Sequence, residues 1–174
     1  MSNNPVVALL RAQYKGAHDV LEGTMADVTP DVLMWSPPGM ANSVGGNYAH
    51  VVTAEDFLLR SARGQAPLMA GEWAGKNGIS EPPPPGAGMH EWDKRVTIEL
   101  DALRAYAQAV YADTDAYLAT LSDADLAVEH DFSAIGFGTQ ALGQFLSLGL
   151  AHLGWHTGEI SALKGVQGHK GYPF

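Results

Sequence analysis

Residues 151–160 read AHLGWHTGEI and place His152 and His156 four positions apart in the most apolar stretch of the chain. On a helix, positions i and i+4 stand one above the other on the same face. The spacing of Phe145, Gly149, His152, His156, Ile160 and Leu163 predicts a single inward face over a helix from about Thr139 to Lys164. Gly165 is its expected stop. Both imidazoles then stand where core residues belong. They are either two buried histidines with hydrogen-bonding neighbours, or two ligands of a metal ion whose remaining ligands come from elsewhere.

Three further helical segments precede this one. Val96, Leu100, Leu103, Ala107, Val110, Thr114, Tyr117 and Leu121 recur at alternating spacings of four and three, an apolar stripe of helical period. Leu10, Tyr14, Ala17, Leu21 and Val28 mark a first helix that ends before Pro30. A second is expected to begin at Asn42 or Ser43, both good N-caps, and to run through Val51, Ala54, Phe57 and Leu58 to about Gly64. No segment shows strand alternation flanked by hairpin turns. The prediction is one all-α domain over residues 1–174, a four-helix bundle. Residues 64–91, which include EPPPPG, are too long for a turn between the second and third helices. Run along the bundle as a strap, they would let those two helices lie parallel in an up-down-down-up order, and bring His90 and Trp92 back toward the end where a metal would sit.

Composition narrows the function. A formal net charge of −9, with only ten Lys and Arg along 174 residues, argues against a nucleic-acid surface. The absence of cysteine removes disulfides, thiolate zinc sites and a cysteine nucleophile. Any metal must be held by His, Asp or Glu. The N-terminal MSNNPVVALLRAQ does not read as a signal peptide, and the apolar stretch 141–153 falls short of the ~20 residues of a membrane span. A soluble cytoplasmic protein with no nucleic-acid and no membrane partner is expected.

The histidine pair lacks the Glu directly after the first His that a zincin protease needs, Leu153 standing there instead. Paired Glu-x-x-His motifs of a di-iron bundle are missing as well. What remains is a mononuclear site with a third ligand from another helix. His50, about two turns into the second helix at the border of its apolar face, fits best, with a partly buried core histidine as its alternative. His18, His130 and His169 read as surface residues, and His90 as a loop residue.

The segment MWSPPGMANSVGGNYAHVVTAEDFLL, together with HLGWHTGEISALKGVQGHKGYPF near the other end, resembles the DinB/YfiT-like superfamily. The resemblance covers essentially the whole chain. It implies an up-down-down-up four-helix bundle with one divalent metal ion, held by one histidine of the second helix and two of the last. His50, His152 and His156 match those positions one for one. Imidazole ligands suit zinc, nickel, iron and copper; nickel or zinc is expected, with iron as a third choice. Characterised relatives use low-molecular-weight thiols in isomerase or S-transferase reactions, and relatives often form homodimers. The expected function is a metal-dependent enzyme that activates such a thiol or a water on a small-molecule substrate. A metal-loaded binding or sensing protein is the alternative. No catalytic residue is assigned. Trp35, Trp92, Trp155, Glu159 and Tyr172 are candidate pocket residues from their expected place near the metal end. The Gly-rich start of the second helix and the apolar third helix suggest close packing in a homodimer.

Overall fold

The structure, a computed structural model, describes residues 4–174. Four long helices dominate: α1 (Pro5–Met25), α3 (Val44–Ser61), α5 (Leu100–Thr120) and α6 (Leu142–Val166), with short helices α2 (Pro30–Leu33) and α4 (Met89–Asp93) between them. Pro5 and Pro30 each occupy a first-turn position, where the missing N–H is not needed. α1 therefore ends at Met25, earlier than its apolar stripe suggests, and Pro30 opens a new turn rather than only closing an old one. Ser43 caps α3 as expected, its hydroxyl accepting from the Gly46 N–H at 2.9 Å. The first turn before Leu100, where Val96 and Ile98 are buried, is extended rather than helical.

Cross-contacts fix how the long helices lie. Between α1 and α6, Tyr14 Oη donates to Leu146 O at 2.8 Å and Lys164 Nζ donates to Thr24 O, so the pairs advance in the same sense. Between α3 and α5, Tyr106 Oη donates to Asp56 and Arg60 donates to Asp113, again in the same sense. Between α1 and α5 the order is reversed, Arg11 bonding to Asp115 and Arg104 to Met25 O. Leu21, Met25, Tyr48, Leu59, Leu103, Tyr106, Leu118 and Leu146 close the core between them. Burying a large apolar side chain of this kind contributes about 1.5–3 kcal/mol.

The segment between α3 and α5 is irregular but fastened along its length. Leu68 and Met69 donate their N–H groups to the buried Asp56 carboxylate at 2.8 and 3.0 Å. Trp73 packs on Tyr106, Ile79 bridges to Ile98, and the Trp92 indole N–H donates to Glu81 O at 3.1 Å. Gly78 adopts φ 76°, and a Cβ there would lie 2.4 Å from Leu103 N, so only glycine fits. At the end of the strap Asp93 accepts from Ser43 N at 2.8 Å and Ser43 Oγ at 2.6 Å, tying α4 to the start of α3.

Two expectations are corrected. Thr139–Ala141 is not the first turn of α6 but strand β2, paired antiparallel with β1 (Glu129–Asp131). The strands are three residues each, too short for alternation to register. Gly165 does not stop α6, which continues to Val166; the left-handed glycine is Gly168 at φ 82°, past a Gln167 cap.

Candidate metal centre

α6 is amphipathic only weakly because it is buried on much of its circumference. Its most buried line runs through Phe145, Leu146, Gly149, Leu153, Thr157, Ile160 and Lys164. His152 and His156 stand beside this line, half-buried at the seam with α3 rather than within the core. Across the seam, His50 projects from a face of α3 whose neighbours Ala49, Val51 and Val52 are fully buried. α3 and α6 run in opposite senses here, Leu59 lying against Gly149 and Asn47 sharing a groove with Leu163. Positions 50, 152 and 156 are thereby brought level.

The three imidazoles each offer a ring nitrogen within 4.8 Å of the others. Their rings meet edge-to-face, with centroids 4.4 Å apart for His152–His156, 4.7 Å for His50–His156 and 5.1 Å for His50–His152. The Nε2 atoms of His152 and His156 are 3.0 Å apart. Bonds of ~2.1 Å to a tetrahedral ion hold ligand atoms roughly 3.4 Å apart, so a small opening of this pair accommodates one ion. Burial lowers the His50 pKa to about 4, with the neighbouring His156 adding to the effect. Burial likewise lowers His152 to about 3, assisted by His156 and His50. Neutral imidazoles keep the lone pairs that coordination requires.

Glu159 supplies the orienting partner. Its carboxylate accepts from His156 Nδ1 at 2.7 Å, which places the proton on Nδ1 and leaves the Nε2 lone pair facing His152. A carboxylate behind a histidine in this way sets the ring's tautomer and angle and raises its basicity. The remaining candidate pocket residues are spread more widely. Trp155 is exposed, its ring 6.5 Å from that of His152. Tyr172 stacks on Phe174, and its hydroxyl lies over Gly158, on another side of α6 from His152 and His156. Trp35 is half-buried against the core. Trp92, expected in the pocket, is fully buried in the core, where its indole N–H fastens α4 to the strap at Glu81 O.

His18 departs most from expectation. It is 7% exposed, not a surface residue. Its Nε2 lies 2.9 and 3.0 Å from the two oxygens of buried Glu55, and its ring stacks on Tyr111 at 3.8 Å. Thr114 donates to the same carboxylate at 2.6 Å. A signal was present: position 18 follows Tyr14 by four and precedes Leu21 by three, which puts it on the inward stripe. His130 is half-buried in β1 near Phe132, His90 half-buried in α4, and His169 exposed. None of them joins the triad, which is the one such cluster among the described residues.

With this geometry in hand, comparison with known proteins is direct. A search of curated proteins returned no match. Among solved structures, the crystal structure of a conserved protein from Enterococcus faecalis is similar, with a TM-score of 0.77 at 19% identity, over 91% of this chain and 95% of that one. At that identity the likeness concerns the fold. The model of the DinB superfamily matches residues 13–160, an interval that contains all three clustered histidines. The chain belongs to the DinB superfamily.

Proposed function

We propose that this protein binds one divalent metal ion through His50, His152 and His156 and uses it as an enzyme, activating a low-molecular-weight thiol or a water toward a small-molecule electrophile. The observation that carries the proposal is the convergence of three imidazole nitrogens within 4.8 Å, at a half-buried seam. The depressed pKa values of two of them support it. The proposed scaffold is the up-down-down-up bundle, supported by the senses in which the cross-contacts advance along α1, α3, α5 and α6.

Three neutral histidines are the ligand set of sites that keep a position open for a reacting group, whereas closed structural sites take four protein ligands. A divalent ion bound there would lower the pKa of a thiol or water and so supply an anionic nucleophile near neutral pH. The chain's own contribution is positional. α3 and α6 hold the three rings, Glu159 fixes the Nδ1 proton of His156, and the buried residues flanking His50 keep water from that side. Zinc and nickel suit such a donor set best, with iron also admissible.

The test is incubation of metal-loaded protein with mycothiol or bacillithiol and an electrophile, followed by mass spectrometry. The expected result is adduct formation well above that of chelator-treated protein. Full metal occupancy with no rate above background for thiol transfer or hydrolysis would instead establish the non-catalytic reading, a metal-loaded binding or sensing protein.

A further inference from the structure

A groove of about 650 Å³ runs between α1 and α5, away from the α3–α6 seam, and the buried His18 lines it. Beneath, Glu55 reaches in from α3 and is only 4% exposed. Its two oxygens accept from His18 Nε2 at 3.0 and 2.9 Å, and Thr114 Oγ1 donates to the first of them at 2.6 Å. Tyr111 lies flat against the imidazole, centroids 3.8 Å apart. With a carboxylate as acceptor, the proton sits on Nε2.

That leaves Nδ1. It makes no hydrogen bond among the described residues and is not sealed from solvent, so it is the atom through which the pair meets the groove. A histidine kept only to tie helices together usually bonds through both nitrogens. A carboxylate behind one nitrogen fixes the tautomer and raises the basicity of the other. The groove itself suits a small neutral molecule. Arg11 pairs with Asp115 at 2.8 and 2.9 Å and Lys15 with Asp19 at 2.6 Å, which balances the charge of the rim. Ala8, Ala12 and Ala112 keep the walls short and apolar. Lys15 and Gln108, on opposite helices, bring N–H donors to the lining, where they can meet an oxygen that becomes negative.

We infer that His18 is the general base of a second, metal-independent site that hydrolyses small neutral esters, with Glu55 as its positioning residue. Nδ1 takes a proton from water as the water oxygen bonds to the acyl carbon. The acyl C–O bond then breaks, and the alcohol leaves with that proton. Water is the only co-substrate and nothing is oxidised or reduced. The metal-site reading is not needed for any of these steps.

The probe is p-nitrophenyl acetate, given to the full-length protein in zinc-loaded and chelator-treated forms. Saturable, repeated turnover at the same rate in both is expected. His18→Gln should lose that rate to the uncatalysed background. Glu55→Gln should lower kcat at least about tenfold with KM nearly unchanged. The inflection of its pH–rate profile should also move to lower pH, because the imidazolium loses its carboxylate partner. Thermal unfolding reports whether these variants fold. Ala12→Leu, which crowds the groove without touching the pair, should raise KM and serves as a further variant. A folded His18→Gln that turns over as the wild type does would overturn the site. So would loss of turnover on chelation, or acetylated chain accumulating by mass spectrometry without turnover.

Discussion

His50 and His152 tie the site to stability through protons. Their folded pKa values lie near 4 and 3, below the ~6.5 of an unfolded histidine. Above ~6.5 both states are neutral, so neither residue affects stability with pH. Below it the unfolded chain takes up protons that the folded chain refuses, and stability falls until the folded values are reached. In chelator-treated protein each site is expected to cost roughly 1.4 kcal/mol per pH unit across that window. Urea unfolding between pH 7.5 and 5 should show a loss that the His50→Gln, His152→Gln double variant largely abolishes; an unchanged slope in that variant would refute the assignment. His18 belongs to a different account. Its replacement by Ala leaves the Glu55 carboxylate buried with Thr114 as its remaining side-chain donor, and should destabilise the fold by about 2–4 kcal/mol while metal content stays at the wild-type level. The histidine cluster was legible because His-x-x-x-His stacks on any helix and His50 borders an apolar stripe. The partner of His18 was not, since Glu55 lies on another helix and the pairing depends on packing.

Among the elements, α3 shows how a local rule and a distant residue combine. Ser43 announces the helix start by itself, but the buried cap is completed by Asp93, fifty residues on. Asp93→Ala is expected to cost about 1–3 kcal/mol by orphaning the Ser43 N–H, read as a lower midpoint in thermal unfolding. Gly46→Ala should disturb the same place, because a Cβ there would fall 1.8 Å from Asp93 Oδ1. Pairing it with Asp93→Ala should recover part of the loss, and strict additivity would show that the two positions do not interact. The four long helices were legible from periodicity of three and four. The β1–β2 hairpin was not, as three-residue strands carry no period, and neither was the fastening of residues 64–91, which depends on Asp56 and Tyr106 from other helices. Helix ends misled where a proline or glycine has two uses: Pro30 starts α2, and Gly165 sits inside α6.

For the molecule as a whole, the glycines once suggestive of dimer packing are occupied within the chain. Gly45 faces Leu33 and Ile98, and Gly46 faces Asp93, while the α5 stripe is buried against its own neighbours. A homodimer remains the expectation from the family resemblance, and light scattering at working concentration should give twice the 18.4 kDa chain mass; the chain mass alone would remove it. No described helix is long and apolar enough to cross a membrane. A bound ion should link the α3–α6 seam to global stability, worth about 2.7 kcal/mol at a free concentration ~100 times its dissociation constant. The most direct check of the central claim is therefore metal content per chain, on protein purified without a nickel column, stripped with chelator and reloaded with zinc. The account predicts one tightly held ion in the wild type and in His18→Ala, and none in His156→Ala, whose two remaining imidazoles stand on different helices. Full occupancy in His156→Ala, or no zinc retained by the wild type, would contradict it.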